Sequence, residues 1–533
     1  MKKIFTYIAL LAMFTAASCT DLLDKEPYQN YEKDYILTTV EGLDALLTGS
    51  YTIVKDRYYY GSLIYQYEAA RGLDFFIRKS GGGTSMQREA QYSLSSTSNG
   101  AAPNAWQTIY SLITNLNRII DHIDNVTGDI NEIRRIKGEA LTLRGLAYFD
   151  LMRLFAYPPH YSFDGHDGQK AFAKEEDWVK ASRGVPIIWD SEMSLNIEKY
   201  EVRREDAEDT YFYILEQLYM GKELLKGKTE IRGHVNAAPA TALLMRVLLY
   251  MEEWDSVVTV GEEWLANYEA RYSMIPYDSY PTSYYKTFNS ESIWELSYTT
   301  STDLGRNSLN YWARKPTYDD PESPDYGEVS SDIGYSRMGM QWGHTNRGLD
   351  FLTYYPDDIR QVFICELGLQ EKPGWKGFRK YVGDPYHYTH NIPIVRLPEV
   401  YLTMAEAYIK STTYANPGLA GEYASRVSSV RRLADISGSN INDVYNERRR
   451  EFMFEGHNYW DMFRTGRGIQ SRQADLDGAY ADDASISFGT IGNSAHYRAV
   501  YPIPQREMNS NPAIRDQQNP GYAKYVSGGE EEI

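Results

Sequence analysis

Two kinds of side chain in this sequence could bind a ligand rich in hydroxyl groups. Tyr and Trp present a flat apolar face and a polar tip, which suits stacking on sugar rings. The aromatic candidates stand in turn-rich sequence: Tyr58, Tyr59, Tyr60, Trp312, Tyr335, Trp342 and Trp375. Three consecutive side chains cannot all point one way in a helix or strand, so at least one ring of the tyrosine run is expected to face solvent.

Charged candidates lie close to the tyrosine run. Arg71 and Asp74 could donate and accept charge-assisted hydrogen bonds with ligand hydroxyls. We predict that ligand-binding residues come from these aromatic and charged groups. For each one, core packing or a salt bridge is the alternative.

The sequence contains no recognisable catalytic motif. HExxH and GxSxG elements are absent, and the glycine-rich residues 80–84 lack the lysine of a phosphate-binding loop. No sequence pattern identifies two carboxylates as the catalytic pair of a glycoside hydrolase. Such a pair is defined by the distance between the two groups in the folded protein, which the sequence does not give. We therefore predict a protein that is not an enzyme, with a secreted glycoside hydrolase as an alternative.

No cofactor or metal is predicted. One acidic segment resembles part of a calcium-binding loop: Asp475, Asp477, Gly478, Asp482 and Asp483. The final glutamate of that loop is missing, so a solvated acidic loop is favoured and calcium is the alternative.

The composition excludes some partners. The chain has 533 residues, a formal charge of −18 and 42% hydrophobic residues, enough for a large core. This acidic balance argues against nucleic acid, which needs basic patches to neutralise phosphates. Only two cysteines are present.

The N-terminus has the pattern of an export signal. Lys2 and Lys3 precede an apolar stretch at residues 4–14, which is too short to cross about 30 Å of hydrocarbon. Small residues then lead to Cys19, although Ala16 stands where a lipoprotein signal prefers Leu. We predict a signal peptide at 1–18, lipidation of Cys19 and an acidic, lipid-anchored tether at 19–35.

Apolar residues at alternating spacings of three and four predict amphipathic helices. The predicted helices run through residues 106–123, 133–154, 207–225, 238–249, 257–268, 402–409 and 420–434. Two of the segments begin near residues 205 and 237, close to the tetratricopeptide repeat of about 34 residues. The sequence therefore predicts a mainly α protein with degenerate helix pairs.

Residues 270–390 differ from the helical segments. They are rich in Pro, Gly, Asp and Ser and hold 15 of the 47 tyrosines and 4 of the 10 tryptophans. Aromatic residues in turns point to binding more than to core packing. We predict an N-terminal helical region at 36–270, a loop-rich, ligand-facing region with short strands at 271–395, and a C-terminal region at 396–533 that completes the same globular unit.

Several motifs follow one another in order along the chain. The N-terminal half contains CTDLLDKEP at 19–27, the Trp-led segment at 106–123 and IKGEALTLRGLAYFDLMRLFAYPP at 136–159. The C-terminal half contains the segments at 394–408 and 445–468, and YPIPQREMNSNPAIRDQQNPGY at 501–522. Together these motifs resemble the SusD/RagB family of outer-membrane nutrient-binding lipoproteins, although Gly145 and Pro398 depart from the family pattern.

The resemblance implies a fold, a function and a partner. The fold would have four tetratricopeptide-like helix pairs with loops that build the binding site. The function would be binding a nutrient at the cell surface, favouring an oligo- or polysaccharide, and passing it to a SusC-like TonB-dependent transporter. A peptide ligand is the alternative within the family, and a scaffold that binds only protein is a further alternative.

The resemblance also covers a cluster of charges near the C-terminus. Its members are Glu447, Arg448, Arg449, Glu451, Glu455, Asp461 and Arg464. Their helical spacing near a turn predicts a structural network of ion pairs and caps, with a catalytic site as the alternative.

Overall fold

The computed structural model describes most of the chain between residues 35 and 522. It leaves out residues 73, 75, 78–87, 90–91, 93, 99, 173, 284–285, 303, 310–337, 340–351, 367–375, 379, 382–389 and 468–495. The predicted signal peptide, Cys19 and the acidic calcium-like segment therefore lie outside the described residues.

Helices dominate the described residues. In chain order they are α1 Val40–Val54, α2 Leu63–Arg71, α3 Ala101–Ile123, α4 Ile130–Phe155, α5 Pro159–Ser162, α6 Glu175–Ala181, α7 Ser191–Leu195, α8 Ala207–Leu225, α9 Ala237–Tyr250, α10 Trp254–Tyr268, α11 Tyr280–Ser283, α12 Leu397–Lys410, α13 Pro417–Arg432, α14 Ile441–Glu451, α15 Asn458–Arg464 and α16 Gln505–Ser510. Each helix predicted from apolar spacing is present, so the mainly α prediction is confirmed.

Eight of the longer helices pack in series. Along the stack, α1 contacts α3, α3 contacts α4, α4 contacts α8, and α8 contacts α9. The series continues from α9 to α10, from α10 to α12 and from α12 to α13. The result is four consecutive helix pairs, as the resemblance implied.

Side chains cap the first turn of several of these helices. Thr39 begins α1 by accepting a hydrogen bond from the backbone N–H of Gly42, and Asp129 begins α4 in the same way from Asn131. Asn236, Asn416 and Asn440 cap α9, α13 and α14. These oxygens satisfy backbone donors that have no partner inside a helix, which fixes where each helix begins.

Glycine allows α4 and α8 to approach closely. A β-carbon on Gly221 would lie 2.3 Å from Thr142 Oγ1 and 3.0 Å from the Gly138 carbonyl oxygen. On the facing helix, a β-carbon on Gly138 would lie 2.8 Å from Leu225 Cγ. Larger residues at these positions would force the two helices apart.

Gly221→Ala is expected to lower the free energy of unfolding by about 1–3 kcal/mol, because the added methyl overpacks the α4–α8 contact. Chemical denaturation measures this change. Gly49→Ala is the control, since a β-carbon at Gly49 meets nothing within 4 Å. That exposed substitution in α1 should stabilise the protein by up to about 1 kcal/mol. Equal stabilities for Gly221→Ala and the parent would contradict the close approach.

The described strands form short antiparallel pairs. They are β1 Phe76–Ile77 with β5 Met338–Gly339, β2 Arg183–Pro186 with β3 Arg204–Asp206, β4 Ser292–Leu296 with β8 Ile392–Arg396, and β6 Ile364–Glu366 with β7 Lys376–Phe378. The β4–β8 pair closes the long loop-rich region and leads directly into α12. The prediction of a few short strands in this region is confirmed.

A buried network of ion pairs surrounds the end of α14. The Glu451 carboxylate accepts from Arg396 Nη1 at 2.9 Å, Arg431 Nε at 3.1 Å and Arg360 Nη1 at 3.3 Å. Arg396 also donates to Glu455 at 2.6 Å and 2.8 Å. All five side chains are at least nine-tenths buried. This network joins the loop-rich region to the C-terminal helices.

A second cluster ties α15 to α12 and α14. The Asp461 carboxylate accepts from Arg448 Nε at 2.7 Å and Arg464 Nε at 2.8 Å, and Arg464 donates twice to Glu406 at 2.7 Å. The prediction that these charges build a structural network is therefore confirmed.

Candidate functional site

One cleft contains a residue of the predicted ligand-binding set at its surface. It lies between the turn that joins α1 to α2, the helix α2, the start of α3 and the segment 304–309, and has a volume of about 210 Å³. Its lining includes Arg57, Tyr58, Gln66, Glu89 and Asn307. Complete sites for drug-sized ligands measure roughly 300–1,000 Å³, so this cleft would hold one part of a longer ligand.

Local hydrogen bonds set the conformation of the α1–α2 turn. Asp56 Oδ1 accepts from the backbone N–H of Tyr58 at 2.7 Å, a contact typical of turns that begin with aspartate. The Arg57 guanidinium lies 4.4 Å from the centre of the Tyr58 ring. Arg57 Nη1 also donates to Asn307 Oδ1 at 3.2 Å, which links the turn to the segment 304–309.

The arrangement at the mouth suits an amphipathic ligand. Tyr58 is partly exposed, while Arg57 and Asn307 are exposed. A ring with an apolar face could pack against Tyr58, and its hydroxyls could bond to the guanidinium and amide groups beside it.

The floor of the cleft is a rigid polar layer. Glu89 accepts from Arg71 Nε at 2.9 Å through one oxygen and from the Tyr501 hydroxyl at 2.7 Å through the other. The Arg71 guanidinium stacks on Tyr67 at 4.5 Å and on Tyr92 at 4.8 Å. Burial raises the pKa of Glu89, although the charge of Arg71 opposes that rise.

Arg71 itself is only 1% exposed, so the direct ligand contact predicted for it is corrected to a supporting one. It acts beneath the cleft by holding Glu89.

Two members of the tyrosine run are interior residues. Tyr59 is fully buried and donates from its hydroxyl to Asp150 Oδ2 at 2.6 Å. Tyr60 is 3% exposed, and its hydroxyl accepts from Arg153. Their predicted ligand role is therefore corrected, because the turn directs both rings into the core. Only Tyr58 of the run reaches the surface, and it does so from a turn and not from the helix or strand that the sequence argument assumed.

Asp74 also has a structural role. It is 4% exposed and accepts from Arg449 Nε at 2.9 Å and Nη2 at 2.6 Å, and from the Asn458 amide. These bonds connect the end of α2 to α14 and α15. The predicted contact between Asp74 and ligand is corrected accordingly.

The other aromatic candidates lie outside the described residues: Trp312, Tyr335, Trp342 and Trp375. Their ligand-binding role stays a prediction.

Of the residues that line this cleft, only Tyr58 was predicted from the sequence, and Arg57, Gln66, Asn307 and Glu89 are among those that were not. Gln66 stands out in hindsight as an uncharged polar residue in the largely apolar start of α2, LIYQY. No pattern in the neighbouring sequence identifies Asn307 or Glu89 as a cleft residue, because both reach the cleft through contacts between distant segments of the chain.

Some chemistries find no support in the described part of the chain. Among the described residues, Glu89 is the only acid that lines this cleft, whereas glycoside hydrolysis uses a pair of carboxylates. No group of three or more His, Cys, Asp or Glu residues within the described ranges could hold a metal ion. Among the same residues, no helix combines the length and apolar character needed to span a membrane.

Two family models match this chain. One, described as the SusD family, covers residues 373–522, and the other, described as starch-binding associating with outer membrane, covers residues 21–249. Together they cover well over half of the chain.

Individual proteins agree with these matches. The SusD-like protein P38 of Formosa agariphila is 22% identical over 98% of this chain and 100% of its own length. The starch-binding protein SusD of Bacteroides thetaiotaomicron is 30% identical over 28% of this chain and 25% of its own length.

A solved structure shows the same architecture. The crystal structure of a SusD superfamily protein from Bacteroides thetaiotaomicron has a TM-score of 0.72 and 26% identity, with 91% of this chain and 100% of that chain covered. The four helix pairs, the motifs at both ends of the sequence and both family matches agree with one another. The chain therefore belongs to the SusD/RagB family.

Proposed function

We propose that this protein binds a nutrient glycan at the bacterial cell surface and delivers it to a SusC-like TonB-dependent outer-membrane transporter. The observation that carries the proposal is the cleft at the α1–α2 turn, where the Tyr58 ring, the Arg57 guanidinium and the Asn307 amide share one mouth. The starch-binding description of one family match, and the name of the related starch-binding protein, support a glycan as ligand.

The cleft would capture the ligand without changing its bonds. Tyr58 would pack against the apolar face of a sugar ring, while Arg57 and Asn307 would bond to its hydroxyls. The floor, in which Arg71 holds Glu89, would keep this surface in shape. Trp312 and the other aromatic candidates would extend the contact along a longer glycan.

Lipidation of Cys19 would hold the protein at the outer membrane, facing the cell exterior. The family match described as associating with the outer membrane supports this location. A fixed position beside the transporter would raise the local concentration of captured ligand at its entrance.

Tyr58→Ala is expected to weaken glycan binding by roughly 2- to 12-fold, because an aromatic contact contributes about 0.5–1.5 kcal/mol. Calorimetry and affinity-gel retardation of the purified mature protein against a glycan panel would measure this change. Tyr414→Ala is the matched control, since Tyr414 is a 45% exposed aromatic residue that does not line the cleft.

Three outcomes would contradict the proposal. Equal glycan affinities for Tyr58→Ala and the parent would show that this cleft does not bind the glycan. Binding of peptides but of no glycan would favour the peptide-binding alternative in the family. Release of products from a bound glycan by the purified protein would favour the hydrolase alternative.

A further inference from the structure

A second cleft lies where the first half of α3 faces α16. Its volume is about 270 Å³, and the end of β2 and the segment 194–202 complete its walls. It shares no lining residue with the cleft at the α1–α2 turn. Any ligand bound here would therefore contact a separate set of side chains.

One wall combines aromatic and apolar groups. The rings of Trp106 and Tyr110 lie 4.9 Å apart and are tilted by 41°. The Tyr110 hydroxyl donates to the Pro186 carbonyl oxygen at 2.8 Å, which fixes this ring against the end of β2. Pro186 and Ile188 continue the apolar surface. The wall is therefore rigid before any ligand arrives.

A partly buried carboxylate lies opposite this wall. Burial raises the pKa of Glu507, and the neighbouring side chains of Trp106 and Asn511 oppose that rise. No lysine or arginine among the described residues forms an ion pair with it. A carboxylate has about four acceptor positions, so Glu507 can accept hydrogen bonds from a ligand in this cleft.

The neighbouring charge limits which ligand would fit. Arg506 is exposed at the same cleft and donates from Nη1 to Gln107 Oε1 at 2.9 Å. Its positive charge disfavours a cationic ligand, and Glu507 disfavours an anionic one. A purely apolar ligand would bury the carboxylate without compensation, which is costly.

We propose that this cleft is a second binding site for a neutral polyhydroxylated ring, such as one sugar unit. Glu507 accepts from ring hydroxyls, Arg506 and Gln107 bond to hydroxyls at the rim, and Tyr110 with Ile188 contacts the apolar face. This assignment follows from the side chains of the cleft and does not depend on the function proposed for the first cleft.

Saturation-transfer NMR with maltose, cellobiose and N-acetylglucosamine as probes tests the second site. We use Tyr58→Ala as the background because it weakens binding at the first cleft, and variants of the second cleft then show which part of the signal comes from that cleft. In this background at least one probe is expected to bind. Adding Glu507→Gln is expected to weaken that binding roughly tenfold, because a charge-assisted hydrogen bond becomes a neutral one.

A second variant keeps the test independent of Glu507. Ser111 is exposed and lines the cleft, so Ser111→Trp should fill the space without disturbing the core and should abolish probe binding. Thermal melting confirms that both variants are folded.

Absence of binding by every probe in the Tyr58→Ala background would overturn the second site. Binding that neither Glu507→Gln nor Ser111→Trp affects would overturn it as well. Loss of binding in these two variants together with an unchanged affinity in Tyr58→Ala alone would support the second site and contradict the first.

Discussion

Glu451→Ala is expected to lower the free energy of unfolding by about 3–5 kcal/mol, because it removes the acceptor at the centre of a buried ion-pair network. Three guanidinium groups, from Arg396, Arg431 and Arg360, would lose a carboxylate they all contact. Urea denaturation followed by circular dichroism measures the loss. A buried charge without its partner cannot recover its hydration, which makes this the largest stability effect we expect.

The control is a Glu–Arg pair on the surface. Glu422 bonds to Arg426 at 2.8 Å, but Glu422 is 54% exposed. Glu422→Ala should change the free energy of unfolding by no more than about 0.5 kcal/mol, since water replaces the lost contact. Similar losses for Glu451→Ala and Glu422→Ala would contradict the structural role assigned to the network.

The same carboxylate makes stability depend on pH. Burial alone would raise the pKa of Glu451, but Arg431, Arg396 and Arg360 outweigh that effect and hold the pKa well below its usual value near 4.5. A carboxyl group with a depressed folded-state pKa stabilises the fold above its unfolded pKa. That contribution is lost as the pH falls below about 4.5, so the parent should lose more stability on acidification than Glu451→Ala.

Cys19→Ala is expected to move nearly all of the protein from the membrane fraction to the soluble fraction. Each buried CH₂ of an acyl chain contributes about 0.8 kcal/mol, so several chains on Cys19 would give stable anchoring that the alanine variant lacks. Fractionation of cells that express each form, with a lipid label incorporated during growth, measures both location and acylation.

Cys365→Ala is the matched control, because Cys365 is the only other cysteine and lies far from the export signal. It should stay in the membrane fraction and keep the lipid label. Isolating the parent from native outer membranes should also bring a large β-barrel with it. A soluble, unlabelled parent would contradict the anchor, and repeated isolation without a barrel would contradict the proposed transporter complex.

The sequence was most informative where structure repeats locally. The spacing of Ile109, Ile113 and Leu116 predicted α3 because helical periodicity depends only on neighbours within one or two turns. The charges from Glu447 to Arg464 were likewise recognisable as a structural network from their spacing and from the family motif.

Which ring faces solvent was decided by tertiary structure. Tyr59 is buried because Asp150, 91 residues away along the chain, accepts from its hydroxyl. Arg71 and Asp74 are chemically suited to bind hydroxyl groups. In the fold they are buried, and Arg71 bonds to Glu89 and Asp74 to Arg449.

The clefts themselves also depend on distant residues. Arg57 bonds to Asn307 across 250 positions, and Arg506 bonds to Gln107 across 399. The sequence by itself determined the helices, the charge network and the family, and the export signal stays a prediction. Only tertiary structure decided which polar and aromatic groups remain at the surface. Burial depends on contacts between segments far apart in the chain, and the local spacing of residues does not reveal those contacts.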